Sequence, residues 1–307
     1  MKKILVTPRS LTRDGHPALE NLREAGFEIV YSTPGKQPSE EELIELLPGC
    51  SGYLAGVERI SAKVLESAKE LKVISRNGSG VDNIDLDAAS RLGIRICKAE
   101  GANARGVAEL TIALILALVR SIPFHDSKMK AGIWERKKGF ELEGKTLGLV
   151  GCGQIGKLVA LLGLGFGTNV LAYRRHPDLS FKPSEKFAYT DMDNLLRESD
   201  IISLHRPASP DGKPVITSDL IERMKTGALL INTSRASLVD DEAVLKALDN
   251  GKLAGYGVDV YNEEPPEDRK LVKHPMVIST PHIGGYTRES VDRATVEAVE
   301  NLIKYLK

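Results

Sequence analysis

Residues 146–176 read TLGLVGCGQIGKLVALLGLGFGTNVLAYRRH, and this stretch decides the fold. Thr146 to Val150 is an apolar strand, Gln154 to Phe166 is a helical run closed by Gly167, and Asn169 to Tyr173 is a second strand. A G-x-G-x-x-G between strand and helix, inside a βαβ unit of about 30 residues, is the context that dinucleotide binding requires. Gly151 permits the tight turn, Gly153 lets the backbone reach a pyrophosphate, and Gly156 lets helix and strand pack closely. Gln154 and Ile155 open the helix, whose free N–H groups and positive dipole end face the anion. At the end of the second strand such folds carry an acid for the adenosine ribose, but here stand Arg174 and Arg175. A carboxylate there would repel a 2′-phosphate, whereas guanidinium groups bind it in fork geometry. Charge-assisted bonds contribute about 1.5–3 kcal/mol each, so one or two favour the phosphorylated cofactor by roughly tenfold to several hundredfold. NADP(H) is the expected cofactor, with NAD(H) the alternative.

Outward from this unit, short β-type runs alternate with helical stretches along the whole chain, the pattern of α/β domains with parallel sheets. Strands are expected at Lys3 to Thr7, Phe27 to Tyr31, Gly52 to Ala55, Lys72 to Arg76 and Ile94 to Cys97. Helices are expected after His16-Pro17, over Glu40 to Leu47, behind the cap Ser61, and over Asp85 to Leu92. These close a first, small doubly wound unit of 97 residues. A long helix from Asn103 to Arg120 follows, apolar on most sides, and reads as a buried connector between domains. Residues 121–143 place Trp134 among Lys128, Lys130, Arg136, Lys137 and Lys138, which reads as a solvated arm or as a subunit contact anchored by Trp134. A second, larger α/β unit runs from Thr146 to about Pro281, and Arg288 to Leu306 form a last helix with apolar residues at helical spacing.

Composition sets the outer bounds. A chain of 307 residues has room for two domains with real cores. Forty-two basic against forty-two acidic residues give no general pull towards nucleic acid or anionic membranes. The opening MKKILVTP lacks the long apolar stretch of a signal peptide, and the longest apolar run, Ile112 to Val119, is far too short for a bilayer. Cys50, Cys97 and Cys152 have no metal-ligand spacing and suit no disulfide framework. A cytoplasmic protein without nucleic-acid, membrane or metal partners is expected.

Three later segments place polar residues just beyond strand ends, where open parallel sheets bind ligands. Leu229 to Ile231 lead into Asn232-Thr233-Ser234-Arg235. Gly257 to Val260 lead into an acidic loop with Glu263 and Glu264, and Val277 to Thr280 lead into Pro281-His282. An Arg, a Glu and a His beside a nicotinamide suit one chemistry: Arg clamps a carboxylate, His passes a proton, and Glu orients the imidazole.

With these pieces assembled, the chain resembles the D-isomer-specific 2-hydroxyacid dehydrogenase family. The matching segments are NGSGVDNID from Asn77, EGANARGVAELTIALILALVRSI from Glu100, GCGQIG, LLINTSRAS from Leu229, GVDVYNEEP and TPHIGG. They stand in the family's order over nearly the whole chain. The resemblance implies two doubly wound parallel-sheet domains, the larger a Rossmann-type dinucleotide-binding domain. Residues 1–98 with 287–307 would form the substrate domain, and residues 99–286 the cofactor domain. It implies catalytic Arg235, Glu264 and His282, with Asp259 and the Thr233 region on the nicotinamide carboxamide. The backbone N–H groups of Gly78, Ser79 and Gly80 would hold the substrate carboxylate, with Asn77 beside them in the substrate site. A homodimer built on the cofactor domains is implied, and the arm at 121–143 fits it.

The function expected is NADP-preferring reduction of a small 2-oxo acid such as glyoxylate or hydroxypyruvate. Two departures bear on it. Ala236 stands where the family commonly has glycine after the catalytic arginine. Leu54-Ala55-Gly56-Val57 lacks the arginine that phosphoglycerate dehydrogenases place there, and the chain stops before their regulatory domain, which weighs against 3-phosphoglycerate. Arg9, Arg13, Arg59 or Arg76 would be the alternative phosphate holders for that enzyme of serine synthesis. A dinucleotide-sensing corepressor on the same fold is the remote reading.

Overall fold

The computed structural model describes residues 1–267 and 269–307, and the chain divides into two units, residues 1–103 with 285–307 and residues 104–284. The first unit carries strands β1 (Lys2–Val6), β2 (Phe27–Tyr31), β3 (Cys50–Ala55), β4 (Val73–Arg76) and β5 (Arg95–Lys98). All pair in parallel in the order β2-β1-β3-β4-β5. Its helices are α1 (Arg9–Asp14), α2 (Ala18–Glu24), α3 (Glu40–Leu46), α4 (Ala62–Ser67) and α5 (Leu86–Arg91). The caps are local: Ser39, Ser61 and Asp85 accept the N–H three residues on. The sequence reading missed α1, a single short helix that buries only Leu11.

The second unit opens with α6 (Ala104–Val119) and α7 (Ile122–Lys130). Then come β6 (Thr146–Val150), α8 (Gln154–Gly165), β7 (Asn169–Tyr173), β8 (Phe187–Tyr189), α9 (Met192–Glu198) and β9 (Ile201–Leu204). The remaining elements are α10 (Ser218–Arg223), β10 (Ala228–Asn232), α11 (Asp241–Asp249), β11 (Leu253–Val258), α12 (Lys270–Lys273) and β12 (Val277–Ser279). The sheet order is β12-β11-β10-β9-β6-β7-β8, again with every pair parallel. Both sheets are therefore doubly wound, with order reversals between β1 and β3 and between β6 and β9. The central strands β9 and β10 are buried at every residue, as a sheet covered on both faces demands. Among the described residues no single helix is long and apolar enough to cross a membrane.

The long apolar helix α6 is not a connector, as the sequence suggested, but part of the second unit. It packs on α8, β10 and β11. Two glycines explain how closely it sits. A Cβ on Gly257 would lie 3.3 Å from the Leu114 Cβ, and one on Gly255 would lie 2.9 Å from a Leu118 methyl. Residues 121–143 contain α7, which buries no side chain, and Trp134 beyond it is 80% exposed.

The return helix α13 (Arg288–Leu306), capped by Thr287, belongs to the first unit. Ala298, Val299, Leu302 and Leu306 join Ile4, Leu19 and Leu54 in one cluster. Gly52 makes room for them: a Cβ there would sit 2.6 Å from a Leu306 methyl and 3.2 Å from one of Leu302. Leu302 is fully buried, so Leu302→Ala is expected to destabilise the first unit by about 2–5 kcal/mol in a denaturant titration.

Candidate active site

The glycine turn after β6 has the geometry its sequence predicts. Gly151 takes φ +108°, and a Cβ there would lie 2.2 Å from the His205 carbonyl oxygen. Gly156 would drive its Cβ to 2.3 Å from the Gly151 oxygen. A Cβ on Gly153 would meet no atom within 4 Å, and Gly153 caps α8 without any side-chain bond to the helix N–H groups. These residues fit a dinucleotide: the turn is closed against its own scaffold and open on the side a pyrophosphate would take. His205, just past β9, was not anticipated. Its Nε2 lies 2.8 Å from the Ser203 hydroxyl, and burial pushes its pKa down to about 3, so the ring is neutral.

Arg174 and Arg175 are exposed just beyond β7. The Arg174 guanidinium donates to the Cys152 carbonyl at 3.2 Å, so the side chain lies back over the glycine turn. The nearby acid Asp178 is already engaged. It pairs with Lys157 at 2.5 Å, accepts from the Ser180 hydroxyl and amide, and is held at a pKa of about 2, chiefly by Lys157.

Beyond β10, β11 and β12 the anticipated polar residues converge. His282 Nδ1 is 2.8 Å from both Glu264 carboxylate oxygens, with the two side chains 46% and 37% exposed. The bond to Glu264 raises the His282 pKa above its ordinary value, against burial and the positive charge of nearby Arg235, which lower it. With Nδ1–H committed to Glu264, Nε2 is the nitrogen left to exchange a proton. Arg235 is half-buried, and its guanidinium donates to the Ser234 carbonyl at 2.7 Å. Asn232, to which the sequence assigns no role, shapes this loop: its amide donates to the Arg235 carbonyl and accepts from the Ser234 N–H. Thr233 is 2.8 Å from the Thr111 hydroxyl of α6, whose own proton goes to the Val107 carbonyl, so Thr233 is the donor.

Asp259 holds the histidine in place. Its carboxylate is 1% exposed and accepts from the Thr280 hydroxyl at 2.6 Å and from the Ile283 and Gly284 N–H groups at 2.8 Å each. Between those donors His282 adopts φ +52°, a left-handed conformation costing a non-glycine residue about 1–2 kcal/mol. Hydrogen bonds to a charged acceptor contribute about 1.5–3 kcal/mol each, so the buried carboxylate outweighs that strain.

In the first unit, the loop of residues 77–80 follows β4. The Asn77 N–H donates to the Ala55 carbonyl, the Gly78 carbonyl accepts from Ala99, and the Ser79 hydroxyl donates to Asn103. Arg13 is paired with Asp14, and Arg76 is 9% exposed, while Arg9 and Arg59 are exposed after β1 and β3.

The bond between Glu264 and His282 can be weighed by titration. In Glu264→Gln an amide replaces the charge, and the His282 pKa is expected to fall towards or below 6.5 when followed by NMR of the imidazole.

Comparison with known proteins agrees with this geometry. The family model for the D-isomer specific 2-hydroxyacid dehydrogenase NAD-binding domain matches residues 112–284. The chain is 40% identical to a hydroxypyruvate reductase of Thermotoga maritima over 87% of this chain and 88% of that protein. It is 37% identical to a D-3-phosphoglycerate dehydrogenase of Homo sapiens over 93% of this chain, and spans only 54% of that relative's length. Among solved structures, a D-lactate dehydrogenase of Aquifex aeolicus complexed with NAD and lactic acid superposes with a TM-score of 0.84 at 31% identity, covering 99% of this chain and 95% of the other. These likenesses show that this chain belongs to the D-isomer-specific 2-hydroxyacid dehydrogenases, NAD(P)-dependent oxidoreductases.

Proposed function

We propose that this enzyme reduces a small 2-oxo acid such as glyoxylate or hydroxypyruvate and prefers NADPH to NADH. The contact between His282 and Glu264, with Arg235 close enough to affect the titration of the imidazole, carries the reading of the chemistry. The nicotinamide, when bound, supplies the hydride to the keto carbon. His282 donates its Nε2 proton to the forming alkoxide, while Glu264 keeps the ring oriented and its acid form populated. Arg235 binds the carboxylate in fork geometry and polarises the carbonyl. In the first unit, the Ser79 and Gly80 N–H groups are assigned to a substrate carboxylate, since those of Asn77 and Gly78 donate to the Ala55 and Arg76 carbonyls. Asp259 accepts three donors, and its remaining lone pair suits the nicotinamide carboxamide, with Thr233 beside it.

Two exposed arginines at the end of β7, with Arg174 lying back over the glycine turn and Asp178 spent on Lys157, support the NADPH preference. The relative named hydroxypyruvate reductase supports the substrate class. A second reading, 3-phosphoglycerate dehydrogenase, is favoured by Arg9 and Arg59, which follow the two strands where the first sheet reverses its order. A homodimer is proposed through the second unit, where Ile122, Met129, Ile133 and Trp134 are each at least 47% exposed.

Initial rates with glyoxylate and hydroxypyruvate, NADPH beside NADH, test the assignment directly. The expected outcome is a clear NADPH preference, and turnover that begins only with phosphohydroxypyruvate would move the assignment to serine synthesis. Arg174→Ala with Arg175→Ala is expected to raise the NADPH KM by roughly tenfold or more and to spare NADH. Reduction consumes the His282 proton, so its rate falls as pH rises through the raised pKa, and Glu264→Gln shifts that fall to lower pH. Light scattering is expected to give a dimer that Trp134→Ala weakens.

A further inference from the structure

A buried polar network lies in the first unit, around the loop of residues 77–80. Arg76 ends β4 and is 9% exposed. Its Nη1 donates to the Asn77 carbonyl at 3.1 Å and its Nε to the Asn83 side-chain oxygen at 3.3 Å. The guanidinium lies against Gly78: a Cβ there would be 3.2 Å from Nη1, 3.5 Å from Cζ and 3.6 Å from Nη2. Asn83 is held in turn, its amide donating to the Glu58 carbonyl at 2.6 Å. Glu58 is 2% exposed, and its carboxylate accepts from the Tyr53 hydroxyl and the Gly56 N–H at 2.7 Å each and from the Thr7 hydroxyl. The segments following β1, β3 and β4 are thus tied together by one carboxylate, one amide and one guanidinium.

We propose that Arg76 is a positioning residue for the substrate carboxylate: its guanidinium, bonded to the Asn77 carbonyl, and its own carbonyl, which accepts the Gly78 N–H, fix the turn that leaves the Ser79 and Gly80 N–H groups for the ligand, with Asn83 and the Glu58 carbonyl holding the guanidinium in place. This rests on the assignment of that loop to the carboxylate. A flat guanidinium against glycine lets the loop lie directly on a cation, an approach any side chain at position 78 would block. Arg76 is bonded within its own segment, to the Asn77 carbonyl and the Asn83 side chain.

The test is steady-state reduction of hydroxypyruvate by Arg76→Gln, Arg76→Lys and Asn83→Ala, with thermal unfolding and NADPH binding measured on each. The expected result is a rise of roughly tenfold or more in hydroxypyruvate KM for Arg76→Gln, smaller for Arg76→Lys, with kcat and NADPH affinity within about twofold of the parent. Asn83→Ala, which keeps the guanidinium but removes its anchor, is expected to raise KM severalfold, and it decides the matter if neither Arg76 variant folds. Unchanged KM in folded variants overturns the proposal. So does a parallel loss of kcat, KM and thermal stability, which would mark a merely structural arginine. Asn77→Asp separates the two readings, because it sets a negative charge on the loop itself. If it leaves KM unchanged, the assignment of the loop fails; if it raises KM while the Arg76 and Asn83 variants do not, only the role of Arg76 fails.

Discussion

A carboxylate buried at the end of a strand must find donors, and Asp259 finds three of them in the short segment after β12. The placing of His282 follows from that capture. The bonds to Ile283 and Gly284 turn the chain so that the residue before them, His282, sits in a left-handed conformation. That conformation presents the imidazole to Glu264, which comes from the loop after β11, the strand Asp259 itself follows. A hydrogen bond and a buried charge therefore do the work that a longer loop would leave to chance. The constraint is mutual, since Gly284 approaches Asp259 so closely that a Cβ would lie 3.0 Å from the carboxylate oxygen.

The same logic of close backbone approach governs the dinucleotide side. Gly151 and Gly156 are pressed against carbonyl oxygens, whereas Gly153 faces open space. The first two glycines serve the packing of the scaffold, and the third leaves one side of the turn open. Neutral His205 belongs to the packing group: its carbonyl closes the turn and its ring pairs with Ser203, across the point where the sheet order reverses.

Much of this was legible in the sequence. β6, β7 and α13 run between the expected residues, because glycine and a capping threonine punctuate them and their periodicity is strong. Arg235, Glu264 and His282 could be picked out because each follows an apolar strand run. The rest rests on partners far apart in the chain. Asp259 binds residues 21 to 25 positions away, Thr233 meets Thr111 across 122 positions, and no local pattern announces either pair. Helix α7 was invisible because it buries no residue and so has no apolar stripe. Helix α6 was misread because an all-round apolar helix looks the same between two domains as inside one. What decides its place is Gly255 and Gly257, two glycines in a strand more than a hundred residues later.

The first unit's inner cluster brings Ile4 and Leu54 against Val299 and Leu302, residues from opposite ends of the chain. Contacts of such sequence separation carry a loop-closure cost that grows with the intervening length. The cost is reduced if residues 104–284 condense first, because the chain enters and leaves that unit at one place: the Cβ of Asn103 is 3.1 Å from where a Cβ on Gly285 would lie. A folded insert then acts as a short tether and delivers α13 to the sheet it completes. With that order of assembly, the segment made first would wait for the one made last.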